Sequence, residues 1–145
     1  LSGAITLGTL DGANVEIADA AGHENEFIFG MLTPEVNRLK AMGYHPSMFI
    51  GKDDVALEVL SFLEHGWNGE NFREVTDNLR SSDPYMVLAD FQDYRRAQAQ
   101  VQQLYRQRPV WNRMSLENIA HSGIFSADRS VNDYARDIWH TRPVL

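Results

Sequence analysis

From Ala4 to Leu10 the chain reads Ala-Ile-Thr-Leu-Gly-Thr-Leu, a short β-rich run with almost no polar face, and it then turns through Asp11-Gly12 into an amphipathic segment. A strand that is apolar or small on both sides needs cover on both sides, which is the pattern of a strand inside a parallel sheet. Asp11 is placed to cap the helix that follows, its carboxylate accepting from the free amides of the first turn, and Gly12 lets the backbone bend tightly. Val15, Ile17, Ala18 and Ala21 carry the helix to Gly22, which ends it. Glu26-Phe27-Ile28-Phe29 reads as a second strand, and Thr33-Pro34-Glu35 opens another helix with a cap and a proline at the first helical position, stopped at Gly43. Strand, helix, strand, helix implies right-handed parallel crossovers and hence a doubly wound α/β layer.

Beyond Gly43 the periodicity is helical. Asp53 or Asp54 caps a stretch carrying Val55, Leu57, Val59, Leu60, Phe62 and Leu63, which Gly66 ends. A looser helix spans Phe72 to Arg80, and Ser81-Ser82-Asp83-Pro84 breaks the chain. Asp90, with Asp93 three residues on as a weak capping-box analogue, starts a long helix on Phe91, Tyr94, Val101, Leu104 and Tyr105. Pro109 starts the next, which carries Trp111, Met114, Leu116 and Ile119 to Gly123. Ser126 is placed to cap a last helix in which Val131, Tyr134, Ala135, Ile138 and Trp139 form the narrow apolar stripe of a helix lying on another surface. Two strands and about seven helices are too little sheet for a complete doubly wound domain.

Composition narrows the partners. A chain of 145 residues suits one ordinary domain and buries roughly 68 to 70% of its unfolded surface. Apolar runs such as Tyr85 to Ala89 fall far short of the roughly 18 residues of a membrane span, so no membrane insertion is expected. A formal net charge of -7 disfavours nucleic acid, which is bound through clustered Lys and Arg. Arg95, Arg96, Arg106, Arg108 and Arg113 make the second half relatively basic, a pattern that fits a solvated helix face or inter-domain ion pairs better than an anion site. With no cysteine the chain has no disulfide, thiolate metal site or Cys nucleophile, which suits a reducing cytoplasm. The opening Leu-Ser-Gly-Ala-Ile has neither a basic n-region nor an initiator Met, which fits a piece of a longer protein.

Few residues invite chemistry. Gly8-Thr9-Leu10-Asp11-Gly12-Ala13-Asn14 lies where a strand hands over to a helix, the place where open α/β sheets bind ligands and free helix amides attract phosphate. There is no G-x-G-x-x-G, and Asp11 sets its own negative charge at the helix start, so the run reads as a structural cap supporting a neighbouring site or as a direct ligand contact. Gly51-Lys52 fails as a phosphate loop, because Pro46 stands in place of the first glycine and Asp53 in place of Ser/Thr. His23, His45, His65, His121 and His140 are scattered with no i, i+4 pair, so no metal site is expected. Asp53-Asp54 and Glu16/Asp19 are helix neighbours that do not face each other across a sugar. Trp111 and Trp139 read as packing groups, and Trp67, between Gly66 and Asn68-Gly69, is the aromatic whose exposure matters.

On these residues alone a non-catalytic helical α/β interaction module is a sufficient reading. The run Gly3-Ala4-Ile5-Thr6-Leu7-Gly8-Thr9-Leu10-Asp11-Gly12-Ala13-Asn14-Val15-Glu16-Ile17, however, resembles the α-glucan (glycogen or maltodextrin) phosphorylases. The resemblance continues in the family's order through Phe27-Ile28-Phe29-Gly30, Ala89-Asp90-Phe91, Leu104-Tyr105, Trp111-Asn112-Arg113-Met114 and Phe125-Ser126-Ala127-Asp128-Arg129 to Tyr134-Ala135-Arg136-Asp137-Ile138-Trp139. It is looser from Pro46 to Tyr85, and Ser2 departs from the family's usual Asn.

The resemblance implies a glycosyltransferase of the two-Rossmann-domain (GT-B) type that releases α-glucose 1-phosphate from the non-reducing end of α-1,4-glucans with inorganic phosphate. Pyridoxal phosphate would serve through its 5′-phosphate, on a lysine expected just before Leu1. Within this chain no catalytic or direct cofactor-binding residue is then expected. Gly8, Asp11 and Gly12 would support the cofactor segment from behind. Residues 1–127 would be the C-terminal part of the Rossmann-like cofactor domain, and residues 128–145 a helix and tail packing back on the N-terminal domain. The remainder of the same protein would be this chain's partner, in a cytoplasmic enzyme that is a homodimer when intact.

Overall fold

The computed structural model describes residues 3–142, which divide into two compact units, residues 3–27 with 101–142 and residues 28–100. The elements along the chain are β1 (Leu7–Thr9), α1 (Ala13–Ala21), β2 (Phe27–Phe29), α2 (Thr33–Ala41), α3 (Ser47–Ile50), α4 (Asp54–His65), α5 (Arg73–Ser81), α6 (Val87–Tyr105), α7 (Arg108–Ala120) and α8 (Ala127–Asp137). Short helical turns occupy His23–Asn25 and Ser122–Phe125. β1 and β2 form a small parallel sheet of two strands. No helix among the described residues is long and apolar enough to cross a membrane.

In the first unit α1 and α7 pack together through small and flexible side chains. Ala18 and Ala21 of α1, Met114 of α7 and Phe27 are buried. Phe27 stacks on Trp111 at 6.3 Å between ring centroids, and Trp111 meets Tyr105 edge-on at 5.1 Å. The expectation that Trp111 is a packing group is thereby met. Asn118, fully buried on α7, donates its amide to the Asn25 and Met114 carbonyls, both at 3.0 Å, and so ties the His23–Asn25 turn to the helix. The Ser115 hydroxyl donates to the Gly3 carbonyl at 2.7 Å. The Phe27 N–H donates to the Thr6 carbonyl at 2.9 Å, which fixes where the second strand begins.

The second unit is helical, its core made by Ala56 and Leu60 of α4, Met86, and Leu88 and Ala97 of α6, with Thr76 of α5 fully buried. Asp53 caps α4 as expected, accepting from the Val55 and Ala56 amides at 2.9 and 3.3 Å, and Arg95 lies 3.2 Å from the same carboxylate. Burial works against the charged form of Asp53, but those amides and the guanidinium hold its carboxyl below the usual range. Gly66 ends α4 at φ 77°, and Glu64 pairs with Arg80 across α4 and α5 at 2.6 Å.

Four expectations are corrected. β1 is three residues long and only half-buried, not covered on both faces, because two strands leave most of its surface without neighbours. The Asp11 side chain does not cap α1: Gly12 is the capping residue, at φ 49° and ψ -133°, and no side chain accepts from the first amides of the helix. Asp90 does not start the long helix; α6 begins at Val87, and the buried Asp83 receives the Val87 and Leu88 amides, each at 2.9 Å. Ser126 stands at the start of α8, yet makes no side-chain cap. The short α3, inside the loosely patterned stretch after Gly43, carries no periodic signal in four residues.

Candidate functional site

The turn from β1 to α1 brings Gly8, Asp11 and Gly12 together as the sequence leads one to expect, by a different bonding scheme. Thr9 is its hub. The Asp11 N–H donates to the Thr9 carbonyl at 2.9 Å, the Asn14 side-chain amide donates to that same carbonyl at 2.9 Å, and the Thr9 hydroxyl donates to the Asp11 carboxylate at 2.9 Å. Helical bonding then starts with the Asn14 N–H on the Asp11 carbonyl at 3.1 Å. Gly8 is glycine because Asn14 crosses it: an added Cβ would lie 2.5 Å from the Asn14 side-chain nitrogen. Gly12 has open space around it, so its requirement is its positive φ, a region that L-residues seldom adopt.

Asp11 is exposed, and one of its carboxylate oxygens accepts from the Thr9 hydroxyl. Asn14 is the residue that sequence reasoning left as one letter in a motif. Its signal was its position two residues after the turn glycine, where an amide can reach back to the strand's last carbonyl.

The loop after β2 is held separately, within the second unit. The Gly30 N–H donates to Asp93 at 2.8 Å and the Met31 N–H to Asp90 at 2.9 Å, while Arg96 donates to Asp93 at 2.5 Å and to the Ile28 carbonyl at 3.2 Å. Asp90 and Asp93, read from sequence as cap and capping-box partner of their own helix, instead fix another loop's backbone. Burial pushes the Asp90 carboxyl up, and the charges of Asp93, Asp83 and Glu35 add to that, against the Met31 amide. For Asp93 the Arg96 hydrogen bond dominates and holds the carboxyl down. Tyr44 donates to Asp83 at 2.6 Å; burial, then that bond, pushes the phenol up.

Among the described residues no group of three or more His, Asp and Glu side chains is placed to hold a metal ion. The two lysines, Lys40 and Lys52, are both exposed, Lys52 with its ammonium 5.7 Å from the centre of the Phe49 ring. The family model of the carbohydrate phosphorylases matches residues 1–141. The chain belongs to the carbohydrate phosphorylase family. It is 42% identical over 149 aligned residues to the glycogen phosphorylase of Synechocystis, covering 100% of this chain and 18% of that protein. It is 40% identical to the muscle form of human glycogen phosphorylase, over 99% of this chain and 18% of that one, and 41% identical to the glycogen phosphorylase of Chlamydia pneumoniae, over 97% and 18%. This phosphorylase chain therefore spans about a fifth of the length of the relatives it matches, and the turn at Gly8–Asn14 lies within the match.

Proposed function

We propose that the chain is part of an α-glucan phosphorylase, a glycosyltransferase that moves a terminal glucosyl unit of an α-1,4-glucan to inorganic phosphate and yields α-glucose 1-phosphate. The observation that carries this reading is the family match from the first residue to residue 141, with glycogen phosphorylases as relatives at 40 to 42% identity. Nothing in the geometry favours the alternative of an interaction module.

Pyridoxal phosphate belongs to the same reading, where it supplies a phosphate that exchanges a proton with the substrate phosphate. The lysines of this chain do not fit that group. A Schiff-base lysine needs an enclosed, desolvated amine, and Lys40 and Lys52 stand in solvent. The part assigned to this chain is therefore mechanical. Residues 1–127 contribute to the Rossmann-like, doubly wound layer of the cofactor domain, and the Gly8, Asp11 and Gly12 turn stiffens the strand behind the cofactor. Residues 128–145 are assigned to docking on the N-terminal domain. The apolar stripe of α8 supports that assignment: Val131, Tyr134, Ile138 and Trp139 are 51 to 61% exposed, with Ile138 and Trp139 just past the helix end. A cytoplasmic homodimer completes the proposal.

The test separates the chain from the complete protein. The chain alone, with glycogen and phosphate, is expected to release no glucose 1-phosphate and to form no aldimine band between roughly 330 and 420 nm. The complete protein is expected to do both. Release of free glucose in place of the phosphate ester would reject the phosphorylase assignment.

A further inference from the structure

α4 buries Ala56 and Leu60, and a helix lying on a core by one such face ordinarily turns polar residues outward. α4 does not. Val55, Val59 and Phe62 fall at i, i+4 and i+7 along its outer side, Val55 half-buried, Val59 42% exposed and Phe62 57% exposed. Past the helix end the strip continues in Trp67, 63% exposed, whose indole meets the Phe62 ring edge-on at 6.3 Å. A tight turn holds Trp67 there: its N–H donates to the Glu70 carbonyl at 2.9 Å and its carbonyl accepts from the Glu70 N–H at 3.0 Å, with Asn68 and Gly69 at φ 52° and 85°. Beside the apolar strip runs an acidic one. Asp54 and Glu58 are exposed and four residues apart, and Glu58 lies one turn before Phe62. The ion pairs of this unit join Asp53 to Arg95, Glu64 to Arg80 and Asp93 to Arg96, and none among the described residues takes in Asp54 or Glu58.

We propose that the outer face of α4 is the docking surface for a basic amphipathic helix of a partner protein. The apolar side of that helix covers Val59, Phe62 and Trp67, and its Lys or Arg side chains pair with Asp54 and Glu58. Charge selects this occupant. From Asp53 to Phe72 the chain has no Lys or Arg, against Asp53, Asp54, Glu58, Glu64 and Glu70, so nucleic acid and an anionic lipid surface are repelled. A second copy seated symmetrically would set the same carboxylates against one another. An uncharged partner would strip water from Asp54 and Glu58 without pairing them. Geometry selects a helix. Residues at i, i+4 and i+7 make a straight strip about 10 Å long, a ridge against which a second helix packs at an interaxial distance of roughly 8–10 Å. So short a strip falls below the roughly 1,200 Å² of a standard interface, which makes the complex a transient one.

The experiment is fluorescence anisotropy of a labelled leucine–lysine peptide of about 14 residues, amphipathic as a helix, titrated with the complete protein. One control peptide is a scramble of the same composition that spreads the leucines around the helix, and another carries Glu in place of Lys. The amphipathic basic peptide is expected to bind at least roughly tenfold more tightly than either control. Phe62→Ser is expected to weaken its binding roughly tenfold or more, the effect of losing one large covered side chain. Glu58→Lys should weaken it roughly fivefold at low salt and less at high salt. The melting temperature and the release of α-glucose 1-phosphate should stay unchanged in both variants, because both side chains are exposed. Equal affinity of the wild type and both variants for the peptide would overturn the proposal, as would equal binding of the scrambled or the acidic peptide. If Phe62→Ser changes the oligomeric state or the retention by glycogen and leaves peptide binding as it was, the face belongs to a second copy or to glucan, and the proposal is overturned as well.

Discussion

Glu26 is 6% exposed, and neither of its carboxylate oxygens has a hydrogen-bond partner among the described residues. Burial pushes its carboxyl above the ordinary glutamate value, against a weaker opposite pull from His23, whose side chain is 64% exposed and so screened by water. Folding therefore disfavours the charged form of Glu26. With a folded pKa above the unfolded one, the stability of the wild type is greatest below the unfolded value and is lost as pH rises through the folded value. Leaving a buried acceptor unsatisfied costs about 1 to 3 kcal/mol, and more when it is charged. Glu26→Gln removes the charge at nearly constant volume. It leaves a buried acceptor unsatisfied but no buried charge, so it should stabilise the first unit at pH 7 by about 1 kcal/mol or more, a rise of roughly 0.5 M or more in urea midpoint, with the difference vanishing near pH ~3. Trp111, stacked on Phe27 next in sequence to Glu26, is a local reporter once Trp67 and Trp139 are replaced by Phe. A Glu26→Gln protein no more stable than wild type at pH 7 would show that the carboxylate has a strong partner, and would refute the argument.

The turn and cap residues make further tests, read by denaturant melts. Asp11→Ala should change stability by less than about 0.5 kcal/mol, because Asp11 is exposed and accepts only from Thr9 rather than capping α1. Asn14→Ala should cost about 1 kcal/mol through loss of its bond to the Thr9 carbonyl. Asp83→Ala should cost at least about 2 kcal/mol, since the α6 amides and the Tyr44 hydroxyl all lose one buried acceptor, while Asp83→Asn recovers part of it. The exposed stripe of α8 predicts that the chain by itself self-associates, and Trp139→Ala with Ile138→Ala should then shift it toward monomer in sedimentation velocity; a monomeric wild-type chain, or an association unchanged in the variant, would refute this.

Helix ends were legible where a residue type alone decides them. Gly22, Gly43 and Gly66 all hold positive φ just after α1, α2 and α4, and Asp53 caps α4, because its extended backbone aims the carboxylate at the next amides. Asp11 looked the same in sequence. The dihedral angles of Gly12 turn the carboxylate toward Thr9 instead, a difference no composition records. Asp90 and Asp93 were misread for a related reason: their partners, the amides of Met31 and Gly30, are about 60 residues away, and local spacing cannot see them. The turn from Gly8 to Asn14 was legible as a motif and as a strand-to-helix junction, but the clamp of Asn14 on Thr9 appears only in three dimensions.

Product analysis bears on the central assignment most directly. The complete protein carrying this chain, incubated with glycogen or maltopentaose and inorganic phosphate, should accumulate α-glucose 1-phosphate in step with shortening of the glucan, as read by phosphorus and proton NMR. Formation of free glucose, of the β-anomer, or of no product by a folded protein with pyridoxal phosphate bound would contradict it.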